Sequence, residues 1–366
     1  MNTEHIDIGL ARYSDWAFTS SVVVLVAALL LLAVELAYSR GRKVEARELV
    51  GAATAATFGT GAATAATFGT GAATAATFGT GAATAATFGT GAATAATFGT
   101  GATVGADSVT PGVVAAAPKR PLDERAGTAG LSLVYVGIGL LLACIVLRGL
   151  ATSRVPWGNM YEFINLTCFS GLVAGAIVLR RPQYRALWVF VLVPVLILLT
   201  VSGRWLYTNA APVMPALQSY WLPIHVSVVS LGSGVFLVAG VASILFLLKM
   251  YLPDNAFVQR LPDAQTLDRI AYRTTIFAFP VFGFGVIFGA IWAEEAWGRY
   301  WGWDPKETVS FIAWVVYAAY LHARSTAGWR DRKAAWINVV GFVAMVFNLF
   351  FINLVTVGLH SYAGVG

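Results

Sequence analysis

Long apolar runs without charge alternate with short polar connections over most of this chain. They fall at about 17–37, 130–150, 160–179, 186–203, 223–248, 274–293, 308–323 and 335–357, and each is rich in Leu, Val, Ile, Phe and Ala. A helix of about 20 apolar residues crosses a hydrocarbon core of about 30 Å, and in lipid the backbone groups must be satisfied within the segment itself. The pattern therefore predicts an all-α, polytopic integral membrane protein with about eight transmembrane helices. Runs 186–203 and 308–323 are short for full crossings, which suits tilted or partly interfacial helices. The first run follows an acidic N-terminus (Glu4, Asp7, Asp15) and has neither a basic flank nor a small-residue cleavage site. It reads as a retained anchor rather than a signal peptide.

Composition agrees. The 366 residues are 58% hydrophobic and 11% charged, against about 25% charged in soluble domains, so an ordinary soluble enzyme is excluded. The excess of 24 Lys and Arg over 18 Asp and Glu gathers beside the spans, which argues for orientation in a membrane and against nucleic-acid binding. Eighteen of those 24 bases sit in alternate loops. That asymmetry places both termini and the loops near 150–158, 204–222 and 294–307 outside the cell membrane. Cys144 and Cys168 lie inside apolar runs without C-x-x-C or metal-like spacing, so neither thiol–disulfide catalysis nor covalent haem attachment to this chain is indicated.

Between the first two spans stand five identical copies of GAATAATFGT, residues 51–100. Each copy is too short for a solenoid unit and has almost no apolar face, and Gly and Thr interrupt the Ala-rich helical tendency at every junction. The organisation expected is an N-terminal segment with the first span (1–38), a flexible cytoplasmic linker (39–129) and a membrane domain (130–366).

The four histidines carry the most information. His225 opens the fifth span (WLPIHVSVV) and His360 closes the eighth (VTVGLHSYAG), both at the outer face. Each alone could be an interfacial residue bonded to a headgroup. Together they frame the loop 292–308, where Trp292, Trp297, Tyr300, Trp301 and Trp303 fall within twelve residues. An aromatic belt would account for some of these rings, but this density suits a stacking wall for a planar apolar ligand, with Arg299 and Lys306 available to its carboxylates. Opposed imidazoles from separate elements are what bis-histidine ligation of haem iron requires. D-P-K-E has the form of a capping box, with Asp304 as N-cap, Pro305 at N1 and Glu307 at N3. His322 lies about 26 Å further along the seventh helix at 1.5 Å per residue, near the inner face and too far to share an iron with the other two. It is either structural or half of a site completed by another subunit.

The stretches WGNMYEF (157–163), QSYWLPIHV (218–226), AWGRYWGWDPKET (296–308), YLHAR (320–324) and GLHSYAG (358–364) resemble the WWD haem-handling proteins. The likeness is to the CcsA/ResC component of the system II cytochrome c synthetase. It runs through the last part of the chain and leaves the repeat unmatched.

The resemblance implies that His225 and His360 are external axial ligands of haem b and that the loop with Trp292, Trp297, Trp301, Trp303, Asp304 and Glu307 holds the porphyrin. It implies further that His322 is half of an inner haem site, completed by a ResB/CcsB-type membrane subunit. The expected function is cytochrome c maturation. Haem is carried across the membrane and presented to the C-x-x-C-H motif of apocytochrome c for thioether attachment, as part of a holocytochrome c synthase of haem-lyase type. No side chain pairs a nucleophile with a base, so no catalytic residue is expected in this chain. A haem exporter delivering to a carrier would share the outer pair. A quinol-linked cytochrome b subunit would want paired histidines at both depths, and the inner depth offers only His322.

Overall fold

The computed structural model describes residues 6–59, 74–77, 85–88, 121–213, 215–352, 355–356 and 358–360. The chain divides into two units, one formed by Met1–Ala37 with Leu122–Gly366 and the other by Tyr38–Pro121. The first unit is helical. It contains the start of α1 (Ile8–Gly59), then α2 (Leu122–Ala151), α3 (Met160–Val178), α4 (Leu187–Trp205), α5 (Trp221–Tyr251), α6 (Ala264–Trp297), α7 (Pro305–Ser325) and α8 (Arg332–Phe347), which runs into a π-helical turn at Asn348–Ile352.

Among the described residues seven helices are long and apolar enough to cross a membrane, Ile8–Tyr38, α2 to α6 and Arg332–Ile352. The expected eighth is α7. Its 21 residues reach about 31 Å, so length is sufficient and the short run 308–323 understated it. Its apolar surface is aromatic (Trp314, Tyr317, Tyr320), and Lys306, Glu307, His322 and Arg324 occupy its ends. Other helices also outrun their apolar windows, because caps set their ends. α6 begins at Asp263, whose carboxylate accepts the Thr266 N–H at 3.2 Å, and stops at Gly298 in the left-handed region, φ 71°. A carboxylate at the N-cap and a glycine past the last turn are the usual signals.

The outward faces are apolar. Leu30, Phe284 and Val343 are 62, 55 and 59% exposed, which suits lipid rather than water. Inside, α5 is the hub and packs on α6, α3 and α8. Small residues bring the helices close: a Cβ on Gly234 of α5 would stand 2.5 Å from the backbone nitrogen of Gly171 on α3. Membrane helices associate through such contacts because lipid supplies no hydrophobic drive between them. Phe236 of α5 then stacks on Tyr317 of α7 with centroids 3.6 Å apart. Cys144 and Cys168 are both buried and unbridged.

In the second unit the backbone is helical to Gly59, and β1 (Thr74–Thr77) pairs antiparallel with β2 (Ala85–Phe88), Thr74 opposite Phe88. Of the linker expected over 39–129, residues 39–59 continue α1 and 122–129 belong to α2, both helical, and apart from the two strands and residue 121 the rest lies outside the described residues.

Candidate functional site

Helices α3 to α8 and the segment after α8 line a cavity of about 350 Å³ that runs from Trp157 and His360 down to Leu237 and Phe342, within the size range of small-molecule sites. Its wall is mainly apolar and includes Trp157, Phe163, Trp292, Tyr300 and Trp301, with His225, His360, Lys306 and Glu307 as polar members.

His225 stands in the first turns of α5. Its Nδ1 lies 2.7 Å from the Gly285 carbonyl of α6, and only a protonated Nδ1 can donate to that oxygen. The ring lies parallel to Trp292, centroids 6.0 Å apart at 10°. Trp292 is itself 2% exposed. His360 approaches the same indole from the chain after α8, edge-on, at 5.8 Å and 66°, and meets Trp297 at 5.0 Å. Its Nδ1 donates to Asp304 Oδ1 at 2.8 Å. In both imidazoles the proton is thus fixed on Nδ1, the tautomer whose lone pair is on Nε2. Metal-bound histidines are oriented in this way, by a carbonyl or carboxylate at the other nitrogen.

Asp304 does more than the capping its sequence predicts. Its carboxylate accepts the Lys306 N–H at 3.0 Å while Glu307 Oε2 accepts the Asp304 N–H at 3.1 Å, completing the capping box of α7. Glu307 also takes the Gly302 N–H at 2.9 Å, which pins the tryptophan loop to the helix start. Asp304 Oδ2 meanwhile accepts the Leu359 N–H at 2.8 Å. Burial pushes the Asp304 carboxyl up, yet the bonds from His360, Leu359 and Lys306 pull it further down, so it ends below the ordinary carboxylate range. Burial lowers the His360 pKa and outweighs the opposing pull of Asp304. Both effects favour a neutral imidazole beside a carboxylate, the protonation state in which histidine binds metals.

The remaining expected residues separate. Trp301 lines the cavity and meets Trp303 edge-on at 5.9 Å. Trp297 packs behind Trp292, at 4.7 Å. Trp303 is 69% exposed with φ 57° and belongs to the rim rather than the wall. His322 is exposed in the last turn of α7, at the opposite end of that helix from Asp304, and the structure does not bring it to the other two histidines. Among the described residues no three His, Cys, Asp or Glu side chains gather as they would around a lone ion. The donor set is two imidazoles in an aromatic chamber. It fits a metal whose equatorial positions are already filled by a flat organic ring, as in haem.

The family model described as cytochrome C assembly protein matches residues 157–360, the segment that builds this chamber. The chain belongs to the cytochrome c assembly protein family. Relatives named cytochrome c biogenesis protein CcsA agree along most of their length. The one from Guillardia theta is 36% identical over 261 residues, 63% of this chain and 86% of its own. Those of Gloeobacter violaceus and Synechococcus sp. (strain CC9902) are 32 and 34% identical, covering 68 and 66% of this chain and 90 and 88% of theirs. A solved structure titled cytochrome c heme lyase CcmF aligns with a TM-score of 0.49 and 19% identity, over 62% of this chain and 41% of that one. This CcsA-type cytochrome c assembly protein is a polytopic, helical membrane protein that acts in cytochrome c maturation and handles haem.

Sequence reasoning expected His225 and His360 here and a tryptophan loop over 292–308; Trp292 and Trp297 stand instead on the last turns of α6 and α7 starts at Pro305, so only 298–304 lies between the two helices, and Gly285, Trp157 and the second duty of Asp304 were not foreseen. The motif 157–163 was the only signal for Trp157, and a backbone carbonyl leaves none.

Proposed function

We propose that this protein carries haem b across the cell membrane and presents it at the outer face to apocytochrome c, with His225 and His360 as axial ligands and the aromatic chamber holding the porphyrin. The observation that carries this reading is the placement of two imidazoles, each with its Nδ1 proton held by an acceptor and each against the Trp292 indole, His225 parallel to it and His360 edge-on. Haem is the substrate. Each thiol of the apocytochrome C-x-x-C-H motif adds S–H across one vinyl double bond, sulfur to one carbon and hydrogen to the other, and nothing leaves. The chain's own residues hold the ring edge in reach of the thiols and restrict the iron to a six-coordinate state. On this reading both termini and the tryptophan loop face outward and the repeat is a cytoplasmic tether. His322, exposed at the inner end of α7, takes its opposing ligand from a ResB/CcsB-type membrane subunit, and the two together form a holocytochrome c synthase.

Reduced-minus-oxidised spectra of the purified protein test the site. His225→Ala and His360→Ala are each expected to lower haem content or leave it readily oxidised, with partial recovery in exogenous imidazole. Unaltered haem content and spectrum in both variants would sink the assignment.

A further inference from the structure

We infer that Glu162, buried between two arginines at the start of α3, is a positioning residue for His225 and acts through Trp157. The inference rests on the reading above, in which His225 is a haem ligand. Glu162 is 3% exposed and Arg148 of α2 is 1% exposed. Arg148 Nε donates to Glu162 Oε1 at 3.2 Å, and Arg154, in the loop between α2 and α3, donates to Oε2 at 3.0 Å and to Oε1 at 3.3 Å. The fourth donor is the Gly158 backbone N–H, 2.8 Å from Oε2.

The arginines are anchored in turn. Arg148 reaches Asp15 of α1 at 3.5 Å and the Thr208 carbonyl, and Arg154 reaches the Ala211 carbonyl at 2.9 Å. Through the two arginines, α1 and the segment 208–211 are thus tied to the carboxylate that α2 and the loop before α3 bond directly. Such a cluster costs desolvation that an apolar set of the same volume would avoid. What the charges add is fixed direction, and the part they direct is the turn at Gly158.

The neighbouring Trp157 carries that direction to α5. Its Nε1–H points at Ser227 Oγ, 2.7 Å away, and at the Pro223 carbonyl, 3.1 Å away. These are the residues two before and two after His225, so the indole spans the backbone that bears the imidazole. Trp157 and Gly158 both line the chamber. The arrangement parallels the other side of the cavity, where Glu307 holds Gly302 and Asp304 holds His360. In each case a glutamate in the first turn of a helix grips a glycine N–H just upstream, and the gripped loop steers one histidine.

Two variants and one control test this in the full chain. Glu162→Gln keeps the volume but loses the charge, and Trp157→Phe keeps a ring but loses the N–H. Both are expected to accumulate normally, to retain haem through purification about tenfold less well, the low end of what losing a ligand's direct hydrogen-bond partner costs, and to show a shifted haem reduction potential. Exogenous imidazole should restore the six-coordinate spectrum, which it would not do for a general packing defect. His225→Ala is measured in parallel. If it loses haem while Glu162→Gln and Trp157→Phe keep the wild-type spectrum and potential, the positioning role is wrong and the ligand reading stands. If His225→Ala leaves haem untouched, both fall. Should Glu162→Gln fail to accumulate, Trp157→Phe decides.

Discussion

A Cβ on Gly289 would stand 2.6 Å from Cε1 of His225. Gly289 lies one turn beyond Gly285 on α6, so the imidazole rests against bare helix backbone there while its Nδ1–H reaches the Gly285 carbonyl. Gly289→Ala is expected to drive the ring off this bearing. Alanine favours helix over glycine by about 1 kcal/mol, so protein abundance should hold while haem retention falls 10- to 100-fold. The absorption spectrum of the purified variant checks this, and a wild-type spectrum would show that the ring does not depend on this contact.

Asp304 joins two tasks that substitution can separate. Asparagine caps a helix about as well as aspartate, whereas alanine costs about 1 kcal/mol. Asp304→Asn should therefore melt near wild type but hold haem poorly, since His360 loses its carboxylate partner. Asp304→Ala should lose stability as well. Thermal melts beside haem spectra distinguish the two, and wild-type haem binding in the asparagine variant would reduce Asp304 to a cap.

His322 is exposed on α7, as a ligand shared with another subunit would be. His322→Ala is expected to reduce the haem reaching the outer chamber in the assembled complex, with the outer ligands intact and imidazole restoring delivery. Two bis-histidine haems in the purified chain without a partner would exclude a ligand supplied in trans.

Deleting residues 51–100 should leave cytochrome c maturation near normal, because that composition offers no core to bury. Maturation assays at matched protein abundance decide. Complete loss would mark the repeat as a working arm.

The membrane helices, and the positions of His225 and His360 at helix ends, could be read from the sequence because each depends on local signals, an apolar run or a residue at its end. The Asp304–Glu307 box was equally legible, being contained in four residues. The hold of Asp304 on His360 was not, since it joins positions 56 apart and the same aspartate is fully explained locally as a cap. Trp301 and Trp303 look alike in sequence, yet one lines the chamber and the other is exposed. The left-handed backbone at Trp303 turns it outward, and nothing in its neighbours announces that. Glu162 was visible only as a letter in a motif, because its partners come from α2, the loop before α3 and the backbone of Gly158.

The modest hydropathy of α7 bears on how the protein is made. A segment with this share of aromatic and polar residues gains little from lipid as a solitary helix. Beside α6 and α8 it buries Ala313, Tyr317, Tyr320 and Ala323. Its place in the bundle therefore leans on its neighbours, whereas α2 and α5 are long and apolar enough to span on their own. Synthesis runs in the same direction: the wall around His225 is laid down first, α7 adds Lys306, Glu307 and Ser310, and α8 and His360 complete the chamber last.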